Sequence, residues 1–183
     1  MAPLPQEEGE TRPAREEGET RPAREEALSP EERRERVLRT AANVLTYRAR
    51  SSQALYDRLV EKGAAPEDAA WAVARLRELG YLNDADYGRL VVRDLAARGY
   101  GPGRIRRALL DKKLDPADRE LAMDAYVKND DKLRRYIDSK FRGQIPDRKL
   151  IKRTADGLFR RGFSWEEIQT ALREYTQQME EEL

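Results

Sequence analysis

The sequence predicts an all-α fold: an elongated array of tandem three-helix, helix-turn-helix-like repeats that follows a disordered N-terminal tail. Apolar residues recur at helical spacing through most of the 183-residue chain, and no segment shows sustained period-two alternation. Prolines fall at five proposed helix starts, at positions 30, 66, 102, 116 and 146. A helix–turn–helix pattern also recurs at offsets of 50 and then 49 residues.

The recurring pattern is an apolar residue near the end of one helix, a Gly or Lys that ends it, and an acid early in the next. The three copies are Leu59, Gly63 and Asp68, then Leu109, Lys113 and Asp118, then Leu158, Gly162 and Glu167. An acid in a first turn is favourable because it lies beside the positive end of the helix dipole. Chance resemblance between helical hairpins is the alternative. A near-constant period without a catalytic signature favours a modular binding protein.

The N-terminal segment, residues 1–28, is predicted to be a disordered tail. Residues 7–15 read EEGETRPAR and are repeated without change in residues 16–24, with almost no apolar content to bury. This acidic tail either competes with DNA for basic parts of the chain or is a solvated segment with no specific role.

Three units are expected after the tail, at residues 29–82, 83–129 and 130–183. Ser29 and Pro30 have the residue types of a helix start, Asn83 and Asp84 begin the second unit, and Asp130 lies near the start of the third. Ser164 and Glu167 form a predicted capping box for the last helix. A unit of this size buries too little apolar surface to be stable alone, so neighbouring units must pack together.

Composition excludes several classes of function. The chain has no Cys and no His, which removes thiol nucleophiles, disulfides, Cys/His zinc sites and Ser–His–Asp triads. The close carboxylate pairs, such as Asp84 with Asp86, lie at predicted helix starts, where acids favour the dipole. No apolar run approaches the roughly 20 residues that span a bilayer. We therefore expect a cytoplasmic, non-enzymatic protein with no cofactor, no metal and no membrane partner.

Charge is strongly segregated along the chain. Residues 1–36 carry a net charge of −4, whereas residues 98–113 carry +5 and residues 132–161 carry +8. Residues 166–183 are acidic again, with six Glu and one Arg. Such segregation predicts a basic stripe between acidic ends.

Three basic clusters are the candidate binding residues. Arg48 and Arg50 precede a helix start and suit a phosphate or carboxylate, unless Arg48 instead caps the end of the preceding helix. The segment Gly99–Arg107 combines glycines, a helix start and Arg104, Arg106 and Arg107, which predicts an anion seat; a plain turn with a solvated basic helix is the alternative.

The third cluster lies on one predicted helix face, where positions 149, 152, 153, 156 and 160 coincide and only Asp156 is not basic. Nucleic-acid backbone or an acidic protein groove is the favoured partner, and a merely solvated face is the alternative. Tyr100 and Phe141 could stack on bases. The other aromatics interpreted as core are Tyr47, Tyr81, Tyr87, Tyr136, Trp165 and Trp71.

Several stretches resemble the RecX family, the bacterial regulators of the RecA recombinase. They are Arg48-Ala49-Arg50-Ser51 with Leu55 and Leu59–Gly63, Leu76–Asp84 with Tyr87, Gly99–Ile105 with Leu109 and Lys112, and Leu158–Ser164 with Ile168. The resemblance covers about residues 34–178. Lys113 stands where the family often has Gly, and Gly88 where it often has Ala; both changes are expected to loosen local helix geometry.

The resemblance implies tandem three-helix repeats that bind in the groove of the RecA–DNA filament and inhibit strand exchange and ATP hydrolysis, which tempers DNA repair and the SOS response. The expected contacts to RecA or to single- and double-stranded DNA backbone, the latter weak and salt-sensitive, are Arg48, Arg50, Arg104, Arg106, Arg107, Lys149, Lys152 and Arg153. We expect a monomer. The alternative is a DNA-binding helix-turn-helix transcriptional regulator, although acids early in its recognition helices would repel DNA.

Overall fold

The computed structural model describes residues 28–181, which contain nine α-helices and no strand. The helices are α1 (Pro30–Tyr47), α2 (Ser52–Glu61), α3 (Pro66–Glu78), α4 (Asp84–Ala97), α5 (Pro102–Asp111), α6 (Pro116–Met123), α7 (Asp130–Phe141), α8 (Arg148–Arg160) and α9 (Trp165–Glu181). The expected all-α class and its tandem three-helix units are confirmed. The expected disorder of residues 1–28 falls almost entirely outside the described residues. The unit boundaries expected from the sequence stay predictions.

Helix starts follow the capping chemistry that the sequence predicts. Ser29 and Glu32 form a capping box at α1, and the Ser164 and Glu167 box at α9 is also present. Proline occupies the first turn of α1, α3, α5 and α6. The expectation for Pro146 was wrong. It lies one residue before Asp147, whose carboxylate accepts the Leu150 N–H at 2.6 Å and caps α8 instead.

Each consecutive group of three helices encloses its own hydrophobic cluster. The first contains Leu55, Leu59 and Leu76, the second Val92, Ile105 and Leu109, and the third Ile137, Leu158 and Ile168, with further members in each. Three small cores rather than one large core follow from units of three short helices. Stability must therefore depend partly on the joints between units.

Three aromatics that we expected in the core are exposed. Tyr47 is 91% exposed, Tyr81 73% and Trp165 55%. Each lies at a helix end or in a turn, where fewer neighbouring elements can cover a large ring. Helical spacing alone did not reveal this difference. The remaining expected core aromatics, Tyr87, Tyr136 and Trp71, are partly buried and pack against the clusters.

The first two units meet at the start of α2. Ser51 Oγ donates to the Lys112 carbonyl at 2.6 Å, at the C-terminal end of α5. The Ser52 N–H donates to Asp84 Oδ1 at 2.7 Å, and both residues are buried. An ion pair between Lys113 and Asp57 lies at the same joint. Helix N-terminal groups of one unit thus find their partners in the next.

The second and third units meet in an equivalent way at the start of α5. The Gly101 N–H donates to the Arg161 carbonyl at 2.8 Å, and the Gly103 N–H donates to the Gly162 carbonyl at 2.9 Å. Gly162 has a φ of +90°, and a Cβ there would lie 2.1 Å from the Arg104 backbone nitrogen. Only glycine permits both the left-handed conformation and this approach. The start of α2 therefore lies beside the end of α5, and the start of α5 lies beside the end of α8.

The two departures from the family pattern have structural explanations. Lys113 adopts a φ of +59°, the conformation that glycine favours after a helix, and its side chain pairs with Asp57. At Gly88 a Cβ would lie 2.6 Å from the Ala122 Cβ, so glycine lets α4 approach α6 closely. We expected Gly88 to loosen the helix, but that expectation left out the close packing of α4 against α6 that glycine allows at this position. Among the described residues, no helix is long and apolar enough to cross a membrane.

Gly101→Ala tests the joint between the second and third units. A Cβ at Gly101 would lie 2.6 Å from the Gly162 backbone, whereas one at Gly103 would lie 3.1 Å from the Gly162 oxygen. We expect Gly101→Ala to lower the free energy of unfolding by about 1–3 kcal/mol, as overpacking does. Gly103→Ala, the matched control, should cost less. Equal stability of Gly101→Ala and wild type in urea unfolding would contradict this joint.

The Asp57–Lys113 pair predicts a pH-dependent contribution to stability. Hydrogen bonding to Lys113 lowers the pKa of Asp57 below its ordinary value. The stabilisation is therefore present above the unfolded pKa of about 3.9 and is lost as pH falls through the lower folded pKa. Because both side chains are partly exposed, Asp57→Asn should cost less than about 1 kcal/mol near neutral pH.

Urea unfolding of wild type and Asp57→Asn at neutral and strongly acidic pH measures this effect. The difference between the two proteins should close in acid, where Asp57 is protonated in both states. Asp111→Asn is the control, since the partner of Asp111 is Arg107 within the same helix. A difference that persists or grows in acid would show that the ion pair does not cause it.

Candidate nucleic-acid interface

The expected contact residues lie at the beginning of the second helix of each unit. Arg48 and Arg50 lie in the link before α2. Arg104, Arg106 and Arg107 lie in the first two turns of α5, and Lys149, Lys152 and Arg153 lie in the first two turns of α8. We call these groups the three basic segments. The three segments occupy corresponding places in the three units. Their eight residues, however, are not related by one constant spacing in the sequence.

The second helices differ from the others in their charge. The first turns of α2, α5 and α8 contain no acid, whereas those of α1, α3, α4, α6, α7 and α9 each contain at least one. At α2 and α5, groups at the helix start bond to carbonyls or a carboxylate of the next unit. These partners balance the positive end of the helix dipole without a local acid. The positive charge of the basic residues there is consequently not offset by an acid in the same turn.

Most of this charge is exposed and unpaired. The side chains of the three basic segments are exposed except that of Arg50, which is partly buried. Only Arg107 forms a salt bridge with another described residue, 3.2 Å from Asp111. Elsewhere, Arg39, Arg75 and Arg98 each pair with an acid three or four residues away. The basic segments therefore offer cations to an external anion at little cost.

The α8 face matches its prediction. Thr154, Ala155, Gly157 and Leu158 are buried, and positions 149, 152, 153, 156 and 160 are all exposed. A Cβ at Gly157 would lie 2.3 Å from the Tyr136 hydroxyl oxygen, so glycine allows α7 to press against this helix. The same close packing that buries one side of α8 turns its basic side toward solvent.

The link before α2 has a different role from the expected helix-start anion site. Arg48 is the C-cap residue of α1 in extended backbone, and no hydrogen bond joins its side chain to the last carbonyls of the helix in the described part of the chain. The amides of Ser52 and Ala54 are bound by Asp84 and by Ser51 Oγ. The Asp84 carboxylate of the same chain thus occupies the position at this helix start that an external anion would take.

The glycine-rich segment is not the anion seat that we expected. The amides of Gly101 and Gly103 donate to carbonyls of the third unit, which fills the position an anion would take. The segment is a joint between units, because Gly101 and Gly103 have no side chain and let the two backbones come into contact. Arg104, Arg106 and Arg107 nevertheless project from the helix that follows, and their side chains are exposed.

The two aromatics expected to stack on bases are engaged within the protein. Phe141 is 1% exposed and packs edge-on against Tyr175, with ring centroids 5.3 Å apart, so the base-stacking expectation was wrong for it. Tyr100 is partly buried, and the Arg161 guanidinium lies 5.6 Å from its ring centroid. Arg161 also lies 4.6 Å from the Tyr136 ring centroid. These contacts strengthen the second joint rather than forming a nucleic-acid surface.

The third helices carry acids where a base-reading helix would enter DNA. Glu67 and Asp68 lie in the first turn of α3, Asp118 in that of α6, and Glu166 with Glu167 in that of α9. All of these acids except the buried Asp68, which pairs with Arg33, would repel phosphates at the mouth of a major groove. These acids argue against the base-reading alternative at the starts of α3, α6 and α9.

A groove that sequence reasoning missed runs along α1. Its volume is about 940 Å³, and it is lined by α1, the end of α2 and the start of α3. Five cations line it, namely Arg33, Arg36, Arg50, Arg58 and Lys62, together with Glu67 and Asp68. We call it the α1 groove. These residues come from distant positions in the sequence, so only the recurrence of Arg in α1 and α2 could have hinted at it.

The fold brings together two motifs that carry the resemblance. Ser52, which follows the Arg48-Ala49-Arg50-Ser51 stretch, binds Asp84 at the end of the Gly80–Asp84 stretch. We interpreted Asp84 only as an acid favoured at a helix start, yet it is 8% exposed and bonds across the joint. The two motifs are therefore the two sides of one contact.

Comparison with known proteins agrees with this architecture. Family models described as the first, second and third three-helix domains of RecX match residues 38–76, 83–123 and 129–172. The regulatory protein RecX of Stenotrophomonas maltophilia strain K279a is 33% identical over 143 residues, which cover 77% of this chain and 88% of that protein. The regulatory protein RecX of Pseudomonas fluorescens is 35% identical over 138 residues, which cover 74% and 89%.

Solved structures show the same fold. The crystal structure of RecX from Lactobacillus salivarius superposes with a TM-score of 0.72 at 21% identity, covering 79% of this chain and 97% of that one. A second crystal structure, of a regulatory protein RecX, has a TM-score of 0.65 at 22% identity and covers 73% and 68%. With three domain models matched in order and relatives aligned over most of their length, this chain belongs to the RecX family of regulatory proteins.

Proposed function

We propose that this protein binds the RecA–DNA filament and inhibits its recombinase and ATPase activities, which tempers DNA repair and the SOS response. Membership of the RecX family supports RecA as the partner. The observation that carries the proposal is the repetition of an exposed, largely unpaired basic segment in each of three successive units.

The spacing of these segments suits an extended anionic partner. The ten-residue helices α2 and α5 each span about 15 Å at the rise of an α-helix, and α8 is three residues longer. Successive basic segments are thus about one helix length apart along the chain of joints. Phosphates of a bound strand recur at shorter intervals, so each segment can meet several of them. Acidic surface of the recombinase is the other partner for these cations.

We further propose that the protein acts by binding rather than by catalysis, as a cytoplasmic monomer. The absence of Cys and His from the sequence removes thiol nucleophiles and imidazole general bases and supports this assignment. Contacts with naked single- or double-stranded DNA backbone should be weak and salt-sensitive, because they depend on exposed charges.

The test is the DNA-dependent ATP hydrolysis of RecA measured with increasing amounts of this protein, beside its binding to bare single-stranded DNA at two salt concentrations. We expect inhibition at concentrations well below those that coat bare DNA. Inhibition that merely follows salt-sensitive coating of DNA, or no inhibition, would contradict a filament-directed role.

Arg104→Glu, Arg106→Glu and Arg107→Glu combined should weaken inhibition at least about tenfold, since a phosphate or carboxylate partner would then face three like charges. The fold should change little because these side chains are exposed. The matched control is Arg39→Glu, Arg75→Glu and Arg98→Glu combined, which introduces the same charge at exposed positions outside the basic segments. Full inhibition by the folded α5 triple variant would show that these residues are not part of the binding site. An equal loss of inhibition in the α5 variant and the control variant would show the same.

A further inference from the structure

The α1 groove is not used by the proposed function except at Arg50. It extends from Leu28, just before α1, to Tyr47 at the end of that helix. Its lining includes the apolar residues Val37, Val44 and Leu59 together with the five cations and two acids. A basic groove that is partly apolar suits an acidic segment that also contains small apolar residues.

The chain itself enters the groove at its N-terminal end. Leu28 is the first described residue and lines the groove, and its carbonyl accepts a hydrogen bond from Arg33 Nη1 at 3.2 Å. Arg33 is in turn held by the buried Asp68, 3.3 Å away. The backbone that precedes α1 is thus anchored where the groove begins, and residues 1–27 are joined to the chain at that anchor.

The preceding segment has the complementary charge. Residues 1–27 contain eight Glu and four Arg, and five of the Glu fall within residues 16–27. The groove lining carries five cations and two acids. Arg33 pairs with Asp68, and Arg58 pairs with Glu61 just outside the lining, yet the net charge stays positive and opposite to that of the segment. Tethering beside the groove raises the effective concentration of the segment, so individually weak ion pairs can suffice.

One cation of the groove has an unused donor. Arg50 Nε is buried and has no hydrogen-bond partner among the described residues, although Arg50 lines the groove. A buried donor without an acceptor costs free energy, and a carboxylate that drew the partly exposed Arg50 side chain into the groove would remove that cost. This is a second observation, independent of net charge, that points to an anionic occupant.

The length of the segment allows it to follow the whole groove. The 18 residues of α1 span about 27 Å, whereas 12 extended residues reach about 40 Å. Residues 16–27 alone are therefore long enough to run from Leu28 to the far end near Arg50. The duplicated stretch at residues 7–15 offers a second set of the same acidic side chains.

We propose that the acidic N-terminal segment, residues 1–27, binds in the α1 groove of its own chain, with its glutamates facing Arg50 and the neighbouring cations. The segment would then compete with external anions for one of the three basic segments. Binding depends on charge and on the tether, so it weakens with salt but not with dilution of the protein.

The absence of Cys makes a site-specific probe simple. Thr20→Cys carries a nitroxide label, and its effect on backbone amide signals is read by NMR in the full-length chain. We expect selective loss of signal intensity at groove residues such as Thr40, Val44 and Ala64, and little loss in α7–α9. High salt should restore the lost signals. The measurement uses neither DNA nor RecA, so its result is separate from that of the filament experiments.

Two matched variants of the segment test the charge argument. Glu16→Gln, Glu17→Gln, Glu19→Gln and Glu25→Gln combined should abolish the selective loss, since the attraction disappears. Arg12→Gln, Arg15→Gln, Arg21→Gln and Arg24→Gln combined neutralise the same number of charges and should preserve or enhance it. On the groove side, Arg50→Gln with Arg58→Gln should reduce the loss, whereas Arg104→Gln with Arg106→Gln should leave it unchanged.

Several outcomes would overturn the proposal. Losses spread evenly over the surface, or equal behaviour of the two segment variants, would show that the segment does not recognise the groove. Losses centred on α5 or α8 would place it on the other basic segments. Losses in isotope-labelled chains mixed with unlabelled, nitroxide-bearing chains would show that it binds a second copy instead.

Discussion

The structure depends on one repeated contact, in which the beginning of a second helix meets the end of the second helix of the next unit. Ser51 and Gly101 stand at equivalent places, and their groups donate to the Lys112 and Arg161 carbonyls. Each contact satisfies a carbonyl that a helix end leaves without a partner. Three cores that are small on their own are thereby linked into a row. The row in turn sets where every candidate binding residue lies.

The same contact explains why the basic segments exist where they do. Because the starts of α2 and α5 are bound by the next unit, they need no acid of their own, and none is present in their first turns. Of the arginines in the basic segments there, only Arg107 is paired, with Asp111. Elsewhere, Arg39, Arg75 and Arg98 are paired with acids of their own helices, whereas third-unit arginines such as Arg134 and Arg148 form no ion pair with another described residue. At the starts of α2 and α5, the absence of a local acid is therefore linked to how the units join.

The two joints achieve this contact by different chemistry. The first uses side chains, with Ser51, Asp84 and the Asp57–Lys113 pair. The second uses bare backbone, since glycine at 101 and 162 lets the chains approach closely, and Arg161 then covers Tyr100. A backbone joint is sensitive to an added Cβ at its closest contacts, Gly101 and Gly162, whereas a side-chain joint is sensitive to charge and pH. The two joints should therefore respond differently to mutation.

The sequence by itself determined the helices, their caps and the basic segments, because apolar periodicity, capping residues and local charge act over a few residues. It also determined the family, through motifs that proved to contact each other, as Ser52 and Asp84 do. Only the tertiary structure decided that the glycine-rich segment is a joint and that Phe141 is core while Tyr47 is exposed. It alone also assembled the α1 groove from Arg50 and Arg33. Such contacts join residues far apart in the chain, and their identity depends on packing geometry that no local pattern encodes.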